Sequence, residues 1–288
     1  MLKTLMPVAL GIADLPLPEA IVLARDTGFA AVTVDIRVSA KLAAERGLSS
    51  VIQLFQEAAI APAHWSIPVA YRHDERYADD LRTLPALAAL GHDLGCPRAT
   101  TGVVPGSDER PFAENLTWHV ERLRPIAELL AEAGCRLGIE FIGPKTFRQP
   151  YRYEFIYSLE EAMRLAAAIG TGNVGILLDA WHLYTSHGSN DEILDLNAND
   201  VVVVHVNDAP AGIPPDDQID SARALPLATG VIDLVGFMAA LKQIGFTGPV
   251  MAEPFSQQLN DLAKDDPEAA ATETARSMTA LWRAAGLS

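Results

Sequence analysis

Cysteine is scarce in this chain. Cys96 and Cys135 are the only two, with no Cys-x-x-Cys and no cysteine–histidine spacing. That excludes a cysteine-built zinc site and points to two reduced, buried thiols in a cytoplasmic protein. Positive charge is short as well: 22 Lys and Arg stand against 37 Asp and Glu, a net charge of −15. Such a surface repels phosphate backbones and anionic bilayers at long range, so neither nucleic acid nor a membrane surface is an expected partner. No apolar run approaches the ~20 residues that span a bilayer. The opening Met1-Leu2-Lys3 followed by the apolar run Met6 to Ala13 faintly resembles a leader, but the run is short, Asp14, Pro16 and Pro18 follow at once, and a first strand explains it better. No Gly-x-Gly-x-x-Gly follows that strand, which removes the dinucleotide fingerprint.

What the chain has is apolar residues, 49% of 288, in short runs separated by turn residues. Strand signals fall at 8–12, 31–34 (closing on Asp35), 63–69, 98–104, 136–142, 174–179, 201–206 and 250–253. The run Val201-Val202-Val203-Val204 is β-branched throughout and suits a parallel strand covered on both faces. Helical spacing marks 18–24, 50–59, 77–90, 112–133, 193–196, 232–244 and 268–285, and Ser158 with Glu161 reads as a capping box opening a helix to Ile169. Alternating strand and helix signals imply βα units around a parallel sheet. Eight units in this length favour one closed α/β (β/α)8 TIM barrel over residues 1–288, with a doubly wound open sheet as the competitor.

Four of these runs end on chemistry. Glu140, Asp179, His205 and Glu253 close the fifth, sixth, seventh and eighth strands. In a closed barrel those ends share one face, so the four side chains can converge. Three carboxylates packed together repel one another, and a divalent cation removes the difficulty. Oxygen ligands with one imidazole suit Mn²⁺ first, with Mg²⁺, Co²⁺ or Zn²⁺ also compatible. Any one of these acids alone reads equally well as a solvated loop residue or a helix cap; the signal is the fourfold coincidence.

The segments Gly138-Ile139-Glu140-Phe141, Leu178-Asp179-Ala180-Trp181-His182, His205-Val206-Asn207-Asp208 and Ala252-Glu253-Pro254-Phe255 resemble the sugar phosphate isomerase/epimerase family, the xylose-isomerase-like TIM barrels. The resemblance runs over essentially the whole chain. It implies one divalent metal held by Glu140, Asp179, His205 and Glu253, with Glu140 and Glu253 as the acid/base pair and His182 contacting substrate. It also implies isomerisation or epimerisation of a keto-sugar or inosose through a metal-stabilised enediolate. A lyase of the same family, acting on an inosose or related keto-polyol, is the alternative. Relatives are often dimers or tetramers, so a homodimer or homotetramer is expected.

Further candidates surround this set. His64 and Trp65 on the third strand are expected at the sugar floor, where ring faces stack on sugar C–H groups. The loop after the fifth strand carries Lys145, Arg148 and Arg152 among aromatic residues, and Lys145 is expected to meet an anionic group or a lid. Arg223 resembles a family arginine that approaches substrate, although Pro226-Leu227-Ala228-Thr229-Gly230 departs from the Pro-Gly-acid-Gly turn of relatives. Apurinic endonucleases use this barrel with several more histidines than the chain offers. A non-catalytic sugar or metal sensor on the same fold remains a third class.

Overall fold

A computed structural model describes residues 1–287. Its main sheet is parallel. The strands are β1 (Leu2–Leu5), β2 (Ala31–Val32), β3 in two pieces (Ala61–Pro62 and Trp65–Ser66), β4 (Arg98–Val103), β5 (Arg136–Phe141), β6 (Val174–Asp179), β7 (Val201–Val206) and β8 (Pro249–Ala252). β1 pairs with both β2 and β8, and β8, β7, β6, β5 and β4 follow in order. The first piece of β3 pairs with β2 and the second with β4, so the sheet closes on itself through Ala63 and His64. Ala63 N donates to Val32 O and Val34 N to His64 O, both at 2.9 Å, which carries the ladder across the break. This is the (β/α)8 barrel, in which the carboxyl ends of all eight strands share one face.

Several expectations need correction. The first strand is Leu2–Leu5, not residues 8–12; Pro7–Leu10 is a 3-10 turn. Pro7 has no N–H for a ladder and fixes φ, so the strand ends before it. Asp35 does not close a strand. It caps the helix Ile36–Arg46, accepting Arg37 N and Val38 N at 2.9 Å each. A further helix, Gln257–Asp265, follows β8 with Ser256 as its cap. Ser158 caps Leu159–Ile169 as expected, but Glu161 returns its bond to Tyr157 N, at 3.0 Å, rather than to the cap residue.

Cys96 and Cys135 are free and buried, and burial pushes their thiols up to about 12 and about 11. No described helix is long and apolar enough to cross a membrane.

Candidate metal centre

Side chains along a strand alternate between faces. Gly138, Leu177, Val203 and Met251 therefore share a face with Glu140, Asp179, His205 and Glu253, two residues nearer the strand starts. Leu177, Val203 and Met251 pack in one buried cluster with Met6 and Ala9. That apolar layer forms the floor under the polar set. The stagger of the strands fixes the heights: Glu140 is level with Leu177, Asp179 with His205, and His205 with Met251.

On this floor Glu140, Asp179, His205 and Glu253 meet. Each offers one ligand atom, and the four atoms lie within 4.8 Å of one another. His205 Nδ1 is 3.5 Å from Glu140 Oε1, 3.9 Å from Asp179 Oδ2 and 3.4 Å from Glu253 Oε2. Among the described residues neither His205 nitrogen has a hydrogen-bond partner, and Glu140 Oε1 has none, although all three atoms are buried. Buried polar atoms left unpaired are costly. Three carboxylate oxygens and an imidazole nitrogen, two of them unsatisfied, form a donor set that fits a divalent cation.

The charges respond to this crowding. Burial lifts the Glu140 carboxyl to about 7; Glu253 and Asp179 add to the rise, and His205 opposes it. Burial would lower His205, but the Glu253 and Glu140 carboxylates raise it well above its ordinary value. Burial alone would raise Glu253, yet His205 and Arg223 bring it below the ordinary carboxylate value. The two glutamates are thus pushed in opposite directions.

A profile of the xylose isomerase-like TIM barrel family matches residues 21–281. The chain belongs to this family. Inosose isomerase of Bacillus velezensis is 24% identical over 162 residues, covering 56% of this chain and 55% of that one. The chain thus spans about half the length of the curated relatives it matches first. A xylose isomerase domain protein from Alicyclobacillus acidocaldarius superposes with a TM-score of 0.85 at 30% identity over 99% of both chains. The IolI protein with a bound zinc atom superposes with a TM-score of 0.79 at 18% identity, over 99% of this chain and 98% of that one. Proteins of this family include sugar isomerases, epimerases and dehydratases.

The other expected residues of this family site divide. His182 adjoins it: Nε2 is 3.7 Å from Glu140 Oε1 and 3.9 Å from Asp179 Oδ2. Gly143 N donates to His182 Nδ1 at 3.3 Å. That makes Nδ1 the acceptor and leaves the proton on Nε2, facing the carboxylates. Burial first of all brings this imidazole down to about 3, so it is neutral at pH 7. His64 lies deeper, with Nε2 3.2 Å from Met251 Sδ and its ring 6.3 Å from that of His205.

Trp65 is not at a sugar floor. Its indole N–H donates to Cys96 O at 3.0 Å, and a Cβ on Gly91 would lie 2.8 Å from Nε1. Its partners are the helix Asp74–Asp93 and the turn after it, because neighbouring strand residues face opposite ways. Lys145 pairs with Asp216 at 2.7 Å, and Thr146 Oγ1 donates to Gln218 O at 2.6 Å. The loop after β5 is thereby tied to the loop after β7. Arg148 is buried, bonded to Gly143 O and Glu154, with the Tyr157 ring 4.0 Å below it. Lys145 and Arg148 are thus engaged within the protein, while Arg152 is exposed, its guanidinium 5.0 Å from the Tyr153 ring centre.

Arg223 is also committed to the protein. Nη1 donates to Asp179 Oδ2 at 2.8 Å and to Glu253 Oε2 at 2.9 Å. Nη2 donates to Asp220 Oδ1 at 2.8 Å, and Nε to Asp220 O at 2.9 Å. The structure adds three residues to which the sequence reading gave no role. Asn207 holds Asp179 and the Glu253 backbone. Asp208 accepts four backbone N–H groups, from Ala209, Thr229, Gly230 and Ile232. Asp220 backs Arg223. Asn207 and Asp208 stand in the His205-Val206-Asn207-Asp208 motif, which was the available signal; Asp220 had none.

Proposed function

We propose that this protein is a divalent-metal-dependent isomerase or epimerase of a keto-sugar or inosose. The observation that carries the reading is the convergence of Glu140, Asp179, His205 and Glu253 on one point at the barrel mouth. Those four residues would hold the ion. When bound, a divalent cation supplies Lewis-acid polarisation of a substrate carbonyl and offsets the charge that develops on its oxygen.

The chain's own groups supply the proton chemistry. Glu140 is on β5 and Glu253 just past β8, at the two ends of a four-strand arc, so they approach a ligand between them from different sides. Environments that push two carboxyls apart suit an acid and a base. Glu253, kept ionised by Arg223, removes the proton from the carbon beside the carbonyl. Glu140, whose carboxyl is lifted to about 7 and so can carry a proton near neutrality, returns one from the other side, and solvent resets the pair. His182 presents an Nε2–H to a sugar hydroxyl beside them. The short-range pairing of Lys145 and Arg148 within the protein favours a neutral polyol over a phosphorylated one.

Elimination of a β-hydroxyl after the same proton removal is the second reading, supported by likeness to a 3-dehydroshikimate dehydratase. The test is a panel of unphosphorylated keto-sugars and inososes in D₂O with Mn²⁺, Co²⁺, Mg²⁺ or Zn²⁺. Deuterium entering beside the carbonyl, with loss of exchange in Glu253→Gln and loss of turnover in Glu140→Gln, supports the proposal. A conjugated product absorbing in the ultraviolet selects the lyase. No exchange and no turnover across the panel with the metal fully loaded overturns both.

A further inference from the structure

The guanidinium of Arg223 is 1% exposed at its side chain, and its surroundings are unusually one-sided. Asp179 Oδ2 and Glu253 Oε2, the oxygens that face His205 Nδ1, are the same two that accept from Nη1. On the other side Asp220 receives both Nη2 and Nε, through its carboxylate and its carbonyl. The remaining contact of Nη2 is the His182 ring, with Nε2 at 3.5 Å. With His182 Nε2 protonated, that contact is no hydrogen bond, so four of the five N–H groups of the fork are satisfied by the protein. The rings of Phe255 and Trp181 lie 4.7 and 5.3 Å from the guanidinium carbon. Phe255 takes φ of +38°, a costly backbone for a bulky residue, two positions after Glu253. The surroundings therefore fix this arginine rather than leave it free to follow a ligand.

The charge count gives the reason. Glu140, Asp179 and Glu253 carry three negative charges when ionised, and a ligating His205 is neutral. A dication leaves one negative charge buried. Asp220, with a side chain 24% exposed, is the partly solvated member of the group. We propose that Arg223 supplies the third positive charge facing the three carboxylates, and that this charge sets the strength with which the centre holds a divalent cation. This rests on the reading of the four residues as a cation site.

The sign of the effect separates this role from simple scaffolding. A fixed cation beside the site repels a bound ion, so Arg223→Gln should tighten Mn²⁺ binding while weakening the ion-free protein. Arg223→Lys keeps the charge and should stay close to the parent. Asp220→Asn removes the charge that draws the guanidinium away from the carboxylates and should weaken Mn²⁺ binding. The experiment is titration of the chelator-treated protein with Mn²⁺ alone, followed by calorimetry, with thermal unfolding measured with and without the ion. The expected result is a dissociation constant about tenfold or more lower in Arg223→Gln, within about threefold of the parent in Arg223→Lys, and higher in Asp220→Asn. The metal-induced rise in Tm should be larger for Arg223→Gln than for the parent. Weaker or unchanged binding in Arg223→Gln overturns the inference. If that variant fails to fold, unchanged or tighter binding in Asp220→Asn overturns it instead. A parent protein with no saturable Mn²⁺ site would sink the metal-centre reading itself, a separate outcome.

Discussion

The side-chain amide of Asn207 joins Asp179 to Glu253. Its Nδ2 lies 3.3 and 3.4 Å from the two Asp179 oxygens, and its Oδ1 accepts the Glu253 backbone N–H at 2.6 Å. One residue thereby sets the orientation of a carboxylate on β6 and the position of the chain just past β8. Asn207→Ala should lower affinity for a divalent cation by roughly 10- to 100-fold, as outer-shell losses do. Calorimetric titration of the variant checks this, and an affinity equal to the parent would remove Asn207 from the support of the centre.

Asp208, the next residue, organises the long loop before the last βα unit. Oδ1 accepts Ala209 N at 2.9 Å and Ile232 N at 3.1 Å, while Oδ2 accepts Thr229 N at 2.9 Å and Gly230 N at 2.7 Å. Its backbone also exchanges two bonds with Ala224, beside Arg223. Asp208→Asn turns one acceptor into a donor facing N–H groups. We expect a loss of about 3 kcal/mol in urea unfolding, because buried donors lose their acceptor. A loss below about 1 kcal/mol would show that the loop holds without it.

The fold was most legible where the physics is most local. Val174–Asp179 and Val201–Val206 match their expected bounds because strands covered on both faces are apolar throughout. Leu2–Leu5 was hidden by Lys3 and Thr4, which are accommodated by a bond from Lys3 Nζ to Thr279 and one from Thr4 Oγ1 to Leu2 O. Asp35 looked like a strand-end acid because cap and ligand use the same residue type; only the bonds to Arg37 and Val38 distinguish them. The four centre residues were readable from their like positions on successive strands. Trp65 and Arg223 were not assignable, since a side chain's direction and its partners 30 or more positions away have no sequence periodicity. Asp220 was invisible for a different reason: its partner Arg223 is three positions on, but both lie in an irregular loop where no helical spacing marks the pair.

His119 gives the protein a stability that depends on pH. It sits on the helix Phe112–Glu132, stacked on Phe155 at 4.6 Å and edge-on to Trp118 at 4.8 Å. Nδ1 lies 2.8 Å from Asn115 O, and the buried Nε2 has no partner. Burial lowers its pKa to about 4, against the favourable pull of the Asn115 carbonyl. The folded value is below the unfolded 6.5, so the contribution is complete above pH 6.5 and is lost as pH falls through about 4. The size is on the order of 3 kcal/mol. Urea midpoints from pH 7.5 down to 4, in the parent and in His119→Phe, measure it. The parent should lose more stability than the variant, and parallel curves would contradict the assignment.

Metal stoichiometry tests the cation centre most directly. Chelator-treated protein should bind one Mn²⁺ per chain at a saturable site, read by calorimetry or by loss of the free-ion paramagnetic signal. His205→Ala and Glu140→Ala should each weaken it by more than the roughly 10- to 100-fold of an outer-shell change. A protein with no saturable site, or one whose affinity is unmoved by both substitutions, would contradict the claim that these four strand ends hold a cation.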